Sequence, residues 1–183
     1  MKKKNLVTYK SVTGFTKEYA EMIAQEVDCT LMDFKKVTAE TMSNYDTVIF
    51  GGRMHAGVVD GLKSAKELYG KSKASQFIVY TTGATPNEAK EIIDEMWGNN
   101  FSPTELINIP HFYMQSGLRY EKMSFSDKLM MKVFCVIMKK KKDKTEDEKQ
   151  MENAIANSYD ISSKVYIAPL IDALKSESTG AKK

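Results

Sequence analysis

Residues 6–27, LVTYKSVTGFTKEYAEMIAQEV, decide the fold of this chain. A short apolar run, a loop of hydroxyl side chains around one glycine and an amphipathic pattern follow one another directly. The apolar residues of the last part fall on one helical face: Tyr19, Met22, Ile23 and Val27. The stretch therefore predicts a buried strand, a tight turn, and a helix that packs against the strand.

Apolar runs and helical patterns alternate along the rest of the chain. The runs predicted as strands are residues 5–9, 30–34, 47–52, 76–81 and 106–113. Strict alternation of strands with helices indicates a parallel sheet covered by helices on both faces. The predicted fold class is therefore α/β, a three-layer, doubly wound, five-stranded parallel sheet whose ligands bind beyond the carboxyl ends of its strands.

Two helix boundaries and the domain limits are also predicted. Thr85-Pro86-Asn87-Glu88 has the form of a capping box with proline at the first helical position, so a helix should begin there. A last amphipathic helix is predicted over residues 162–174. We expect one domain over residues 1–175 and a disordered tail over 176–183, because 183 residues suffice for one core but hardly for two.

Composition excludes several classes of protein. Cys29 and Cys135 fit neither a disulfide framework nor a zinc-ligand spacing, so we expect a reduced, cytoplasmic protein with no metal site. No apolar stretch approaches the roughly 20 residues that span a bilayer. The formal net charge of +3 is concentrated between residues 119 and 149, which argues against a broad nucleic-acid-binding surface.

The loop after the first strand has the chemistry of a phosphate site. Ser11, Thr13 and Thr16 offer hydroxyl donors, and Gly14 allows a tight turn. The helix that begins near Gly14 directs its free N–H groups and positive dipole end at the same place. A turn that merely uses Ser and Thr as caps is the alternative. The glycine patterns of a Walker loop and of a dinucleotide fingerprint are missing.

This loop, Ser11-Val-Thr-Gly-Phe-Thr16, resembles the phosphate loop of flavodoxins, S/T-x-T-G-x-T. The run Tyr45-Asp-Thr-Val-Ile-Phe-Gly-Gly52 is similar to the third strand of that family, and residues 52–57 and 81–84 lie where its two flavin loops are. The resemblance covers nearly the whole chain. It implies the flavodoxin-like strand order 2-1-3-4-5 and bound FMN, with the phosphate in the first loop and the ring between the other two.

The resemblance assigns cofactor binding to residues of all three loops. They are Ser11, Val12, Thr13, Gly14, Phe15, Thr16, Gly52, Arg53, Met54, His55, Ala56, Gly57, Thr81, Thr82, Gly83 and Ala84. Arg53 and His55 are expected either to place charge or a hydrogen bond near the ring or a substrate, or to face solvent. We assign no catalytic acid or base.

Residues 117–145 form an inserted amphipathic basic segment after the fifth predicted strand. Its predicted helix, residues 126–138, is apolar nearly all round except for Lys128 and Lys132, and four consecutive lysines follow at 139–142. Such a helix suits a peripheral membrane contact at an anionic surface. The alternatives are a core helix that packs on the sheet and an interface with a second copy of the chain.

Leu118-Arg119-Tyr120, followed by a basic, methionine-rich helix, resembles the extra element of flavodoxin-type menaquinone-dependent protoporphyrinogen dehydrogenases. The resemblance implies an FMN-dependent oxidoreductase of heme biosynthesis, at the inner face of the membrane, that passes electrons from a flat apolar substrate to a quinone. The implied substrate or membrane contacts are Arg119, Tyr120, Lys128, Lys132, Lys139 and Lys140.

Two other functions remain open. An electron-transfer flavodoxin would serve redox protein partners and would not be an enzyme in its own right. Carrier flavodoxins are commonly strongly acidic, whereas this chain has a pI of about 8.6, which favours the oxidoreductase. An interaction module without FMN is the third hypothesis, because neither flavin loop carries a Trp or Tyr that would sandwich the ring.

Overall fold

The computed structural model describes residues 3–144, 152 and 155–180. Its strands in chain order are β1 Asn5–Lys10, β2 Cys29–Asp33, β3 Thr47–His55, β4 Val58–Val59, β5 Gln76–Gly83, β6 His111–Gln115, β7 Gly117–Leu118 and β8 Tyr159–Asp160. Five of them form a parallel sheet in the order β2-β1-β3-β5-β6. Among the parallel strands this is the order 2-1-3-4-5, so the predicted fold class is confirmed.

Helices cover both faces of this sheet. The helices of the described residues are α1 Phe15–Glu26, α2 Ala39–Met42, α3 Leu62–Gly70, α4 Lys90–Asn100, α5 Pro103–Asn108, α6 Phe125–Lys140 and α7 Ala168–Gly180. One buried cluster packs α1 and α7 on Val7 and Ile49, whereas another packs α3 and α4 on Leu6 and Val48. Because both faces of the sheet are buried, its central strands appear in the sequence as nearly continuous apolar runs.

The register of the strands brings the three predicted loops to one edge of the sheet. Lys10, the last residue of β1, pairs with Gly52, and Arg53 pairs with Thr82 near the end of β5. The carboxyl ends of β1, β3 and β5 are therefore aligned, and the segments that follow them meet beyond the same edge.

The predicted fifth strand, residues 106–113, is wrong in its first half. Residues Pro103–Asn108 form α5, and the strand β6 covers His111–Gln115. The Ser102 hydroxyl accepts a hydrogen bond from the Glu105 N–H, and the Glu105 carboxylate accepts one from the Ser102 N–H. This capping box, with proline at the first helical position, starts a helix that includes the first apolar residues of the predicted strand.

The capping box predicted at residues 85–88 is also wrong. Helix α4 begins at Lys90 after Ala89, without a side-chain cap. The Asn87 N–H instead donates to Gln115 Oε1, and the Thr85 carbonyl accepts a hydrogen bond from Tyr113. These contacts with β6 hold residues 85–87 as a connection, so the helix begins later.

The C-terminal helix differs from its predicted bounds. A short 3-10 turn at Lys164–Ile167 precedes α7, which continues through Gly180 and so into the segment expected to be a disordered tail. Residues 181–183 of that tail, and residue 145 of the predicted insertion, lie outside the described residues.

The segment that follows β6 begins and ends with two short strands that pair with each other. Strands β7 and β8 pair antiparallel, with Gly117 opposite Asp160 and Leu118 opposite Tyr159. The 3-10 turn Tyr120–Lys122 and helix α6 lie between them in the chain. Helix α6 packs on a small cluster around Leu118, Met138 and Ile155, so it is not the core helix on the sheet that was one alternative.

Candidate functional site

The loop between β1 and α1 is held in a tight turn. Gly14 has a φ of 103°, a left-handed conformation that favours glycine. The Gly14 N–H donates to Ser11 Oγ at 3.2 Å, and the Gly14 carbonyl accepts the first helical hydrogen bond from the Glu18 N–H. The turn thus brings the amino terminus of α1 to the edge of the sheet, where free N–H groups favour an anion.

Thr16 ties this loop to the end of β5. Its hydroxyl lies 2.9 Å from the Thr82 hydroxyl, and both side chains are buried. The Tyr80 hydroxyl donates to the Thr16 carbonyl, and burial, the largest effect, raises the pKa of Tyr80 well above its ordinary value. Tyr80 is therefore a neutral donor, and Thr16 joins two loops of the site.

A cavity of about 530 Å³ lies beyond the carboxyl ends of β3, β5 and β6. The predicted cofactor residues that line it are Thr13, Phe15, Arg53, Met54, His55, Ala56, Gly57, Thr82, Gly83 and Ala84. Those that do not line it are Ser11, Val12, Gly14, Thr16, Gly52 and Thr81. The structure thus brings parts of all three predicted loops around one space.

Gly52 and Thr81 do not line the cavity, but they hold together the strands that end at it. The Thr81 hydroxyl is buried and donates to the Gly52 carbonyl at 2.8 Å, which joins β5 to β3. A Cβ on Gly52 would lie 2.4 Å from the Asp60 carbonyl oxygen, closer than side chains approach. Glycine at position 52 therefore allows the chain after β4 to pack against β3.

Residues 52–57, the first expected flavin loop, belong to a β-hairpin. Strand β3 continues to His55, and Ala56 and Gly57, with φ of 49° and 80°, form a two-residue turn into β4. Asn100 of α4 holds this hairpin, because its amide donates to the Gly57 carbonyl and accepts from the Val59 N–H, both at 2.8 Å. Sequence reasoning missed Asn100, since only the fold brings α4 to the turn.

Asp127, which sequence reasoning also missed, is the centre of a charged cluster at the cavity wall. Its carboxylate accepts hydrogen bonds from Arg53 Nη1 at 2.8 Å and lies 3.1 Å from His55 Nε2. Arg53 Nε also donates to Asp60 at 2.7 Å. Ser124 caps α6 by accepting from the Asp127 N–H, so Asp127 lies in the first turn of that helix. The cluster fixes α6 to the hairpin.

The charges of this cluster stabilise one another. Burial alone would raise the pKa of Asp127, but the hydrogen bond and charge of Arg53 outweigh it and hold that pKa below its ordinary value. Burial likewise disfavours the charged form of Arg53, yet Asp60 and Asp127 raise its pKa. Both groups are therefore ionised at neutral pH.

The segment that carries α6 forms an apolar wall of the cavity. The wall side chains, which we call the methionine wall, are Leu118, Met123, Met130, Met131 and Phe134. Among these, Leu118, Met123 and Met131 also belong to the cluster on which α6 packs. The predicted insertion therefore contributes directly to the same space as the three loops.

Arg119 packs against the loop between β1 and α1, which we call the phosphate-type loop. Its guanidinium donates to Glu18 at 2.6 and 2.7 Å, to Asp160 at 2.6 Å and to the Thr13 carbonyl at 3.3 Å. The hydrogen bond to Glu18 is the largest effect on its pKa, which is raised. Arg119 lines the cavity, and its side chain is 13% exposed. The structure thus brings Arg119 together with the predicted cofactor residues.

The other predicted substrate or membrane contacts do not line the cavity. The Tyr120 hydroxyl donates to the Ile155 carbonyl, and burial, with Cys135 beside it, raises its pKa to about 12. Lys128 is half-buried, whereas three further lysines of α6 are exposed: Lys132, Lys139 and Lys140. These lysines lie on the outer surface of the segment.

Helix α6 also exposes a large apolar surface. The exposed apolar side chains, which we call the outer face of α6, are Phe125, Leu129, Met130, Val133, Phe134, Val136 and Ile137. Phe125 is 83% exposed and Ile137 60% exposed. Helix α6, which is predicted to be apolar nearly all round, therefore presents apolar side chains both to solvent and to the cavity.

Within residues 3–144, 152 and 155–180, no helix is both long and apolar enough to cross a membrane. The same described residues contain no group of three or more His, Cys, Asp or Glu side chains arranged to hold a metal ion.

A doubly wound parallel sheet, a tight anion-type loop after β1, and a cavity at the ends of β3 and β5 define the class of flavodoxin-like α/β proteins. A family model described as a flavodoxin domain matches residues 6–148, most of the chain. The chain belongs to this family, as the sequence predicts. Membership implies a redox function of the flavoprotein type.

Solved structures that match the chain include flavodoxins and flavoproteins. A flavoprotein in complex with FMN from Lactobacillus acidophilus is 18% identical, with a TM-score of 0.42, over 62% of this chain and 93% of that one. A flavodoxin from the domain Archaea is 20% identical, with a TM-score of 0.39, over 61% and 84%. A Streptococcus pneumonia flavodoxin is 14% identical, with a TM-score of 0.39, over 84% and 95%. No curated protein sequence matches the chain.

Proposed function

We propose that this protein is an FMN-dependent oxidoreductase that passes electrons from a flat, apolar, protoporphyrinogen-like substrate to a quinone. FMN, when bound, supplies the one- and two-electron chemistry. The observation that carries the proposal is the methionine wall, which adds a large apolar surface to a cavity that the three loops of the family motif already surround.

The residues around the cavity fit FMN. The amino terminus of α1, directly after Gly14, offers N–H groups to a phosphate, and Thr13, next to Gly14, lines the cavity. Residues 53–57 and 82–84 would hold the ring. The cavity volume of about 530 Å³ falls within the roughly 300–1,000 Å³ that is usual for cofactor and ligand sites.

The methionine wall suits a flat apolar substrate. Methionine side chains are flexible and polarizable, and they make favourable contacts with aromatic rings. Because Met130, Met131 and Phe134 all come from α6, one helix supplies most of this surface. The burial of apolar area, rather than a set of hydrogen bonds, would then hold such a substrate.

His55 lines the cavity, and Asp127 holds one of its two ring nitrogens. Its Nε2 lies 3.1 Å from Asp127 Oδ1, and an ionised carboxylate accepts hydrogen bonds only. This contact favours the tautomer with the proton on Nε2, which leaves Nδ1 as an acceptor. Arg53 on the other carboxylate oxygen keeps Asp127 ionised for this role.

The outer face of α6 supports a peripheral contact with the inner face of a cytoplasmic membrane. Exposed apolar side chains lie beside Lys132, Lys139 and Lys140 on one helix. A helix of this kind binds an anionic membrane surface through apolar burial and charge attraction together. Such a contact would place the protein where a quinone dissolves. A second copy of the chain is the competing occupant of this surface.

The visible absorption spectrum of the purified protein, followed through two anaerobic additions, tests the proposal. We expect the bands of an oxidised flavin, their loss on addition of protoporphyrinogen, and their return with a menaquinone analogue. A yellow protein that neither reagent changes would favour the electron-transfer flavodoxin. A colourless protein that does not take up FMN would contradict the cofactor assignment.

A matched pair of variants tests the methionine wall in the same assay. Phe134→Ser removes a cavity-lining side chain, whereas Phe125→Ser removes a phenylalanine of the same helix that does not line the cavity. Without vesicles, we expect Phe134→Ser to slow bleaching at low protoporphyrinogen concentration about tenfold, and Phe125→Ser to leave it unchanged. Equal rates in the two variants would contradict the wall as a substrate surface.

A further inference from the structure

The guanidinium of Arg119 occupies the outer side of the phosphate-type loop. Its Nη1 lies 2.7 Å from the point that a Cβ on Gly14 would occupy, and its carbon lies 3.9 Å from the centre of the Phe15 ring. Nη1 also donates to the Thr13 carbonyl at 3.3 Å. Arg119 therefore contacts three consecutive residues of the loop, although it belongs to the segment after β7.

A second cation and a carboxylate lie at the same place. Lys122 Nζ is 3.6 Å, and Glu18 Oε1 is 3.4 Å, from the Cβ point of Gly14. By itself the Glu18 carboxylate, in the first turn of α1, would repel a phosphate at the amino terminus of that helix. Arg119 pairs with both oxygens of Glu18, at 2.6 and 2.7 Å, and so offsets this repulsion.

The pairing also fixes where the guanidinium can act. Asp160 of β8 accepts from Arg119 Nη2 at 2.6 Å, so carboxylates hold the fork from two sides while the ring of Phe15 supports its face. The side chain is 13% exposed and lines the cavity together with Thr13 and Phe15. Glu18, Thr13 and Asp160 take up the hydrogens on Nη1 and Nη2. Arg119 therefore acts on a phosphate through its charge, by offsetting the carboxylate of Glu18, and not through a free fork of donors.

We propose that Arg119, with Lys122 beside it, makes the site selective for the phosphorylated flavin. This inference rests on the proposed binding of FMN. It assigns Arg119 to the cofactor, and not to the substrate or membrane contact that the resemblance implies. Riboflavin carries the same ring system without the phosphate, so Arg119 has no group to act on when riboflavin is bound.

The dissociation constants of FMN and riboflavin for the flavin-free full chain, measured by flavin fluorescence, test this role. We expect Arg119→Gln to weaken FMN binding roughly 10- to 100-fold, because the carboxylate of Glu18 then repels the phosphate, and to leave riboflavin binding unchanged. Lys164→Gln is the matched control. It removes a cation that pairs at 3.0 Å with Glu26, at the opposite end of α1, and should change neither constant.

Each other outcome has a defined meaning. Equal weakening of FMN and riboflavin by Arg119→Gln would mean that Arg119 only holds the fold, and would overturn its role, as would no weakening at all. Arg119→Lys, which keeps the charge but loses the fork, should recover part of the FMN affinity; if it recovers none while melting like wild type, the charge has no role. Failure of the wild-type chain to bind FMN would instead overturn the proposed function.

Discussion

Helices α1 and α6 both border the cavity, but they are packed in opposite ways. The 12 residues of α1 bury Phe15, Thr16, Tyr19, Ala20 and Ile23. The 16 residues of α6 bury only Asp127 and Met138, although α6 is the more apolar helix. Helix α1 packs on the sheet, whereas α6 is held by one charged cluster at its start and a small apolar cluster near its end.

The difference separates apolar side chains that stabilise the fold from apolar side chains whose presence the fold does not explain. Burial of apolar surface stabilises the folded chain, and α1 is explained by that effect alone. The outer face of α6 leaves much of its apolar surface in contact with water, most of all at Phe125 and Ile137. Apolar residues that are costly in water and do not support the core indicate a binding surface.

The largest expected difference in stability comes from replacing an isoleucine by alanine in each of the two helices. Ile23 is fully buried, so Ile23→Ala should lower the free energy of unfolding by about 2–5 kcal/mol. Ile137 is 60% exposed, so Ile137→Ala should change it by no more than about 0.5 kcal/mol. Chemical denaturation measures both values. A similar loss in the two variants would mean that the outer face of α6 is covered, for example by a second copy.

An intermediate effect is expected for membrane binding. Replacement of Lys139 and Lys140 by glutamine should cost about 1 kcal/mol for each charge, which is roughly a 30-fold weaker partition onto anionic vesicles. The measurement is co-sedimentation with vesicles at two salt concentrations. The control variant replaces Lys35 and Lys36, an exposed pair outside α6, in the same way. Equal losses in both variants, or no binding by the wild type, would contradict the membrane contact.

The smallest expected effect concerns the charged cluster at the start of α6. Asp127→Asn should lower the free energy of unfolding by about 1 kcal/mol at pH 7, because Arg53 keeps Asp60 and the amide still accepts one hydrogen bond. The folded-state pKa of Asp127 is lowered, so its contribution is complete above the ordinary value of 3.8 and is lost as the pH falls through the lower, folded value.

The test of this prediction is the difference in unfolding free energy between wild type and Asp127→Asn as a function of pH. The difference should disappear only in acid, below the ordinary pKa of an aspartate. Asp94→Asn, on the exposed side of α4, is the matched control and should stay within about 0.5 kcal/mol of wild type throughout. A difference that persists unchanged in acid would mean that the charge of Asp127 does not hold α6.

The sequence predicts those parts of the molecule that depend on neighbouring residues. Four of the five parallel strands lie within a few residues of their predicted bounds, because strands buried on both faces are continuous apolar runs. The loop around Gly14 is likewise a local motif. The predicted strand at 106–113 is wrong in its first half, because the apolar residues there fit a helix or a strand and the capping box at Ser102 favours the helix.

The parts that sequence reasoning missed depend on distant pairs. Arg53 and Asp127 are 74 positions apart, and Arg119 and Glu18 are 101 positions apart. A single sequence carries no signal that joins such residues, since many lysines, arginines and carboxylates have the same local pattern. The three loops could be predicted to meet, because parallel strands share one edge, but the side chains that join the later segment to them could not.

The pairing of β7 with β8 makes the segment between them a separable cassette. Leu118 and Tyr159 pair in a separate two-stranded sheet, so the two ends of this segment lie side by side. Loop-closure entropy changes slowly with length. A change in the length of the cassette would therefore cost little closure entropy, provided that Arg119 and Asp127 still reached Glu18 and Arg53.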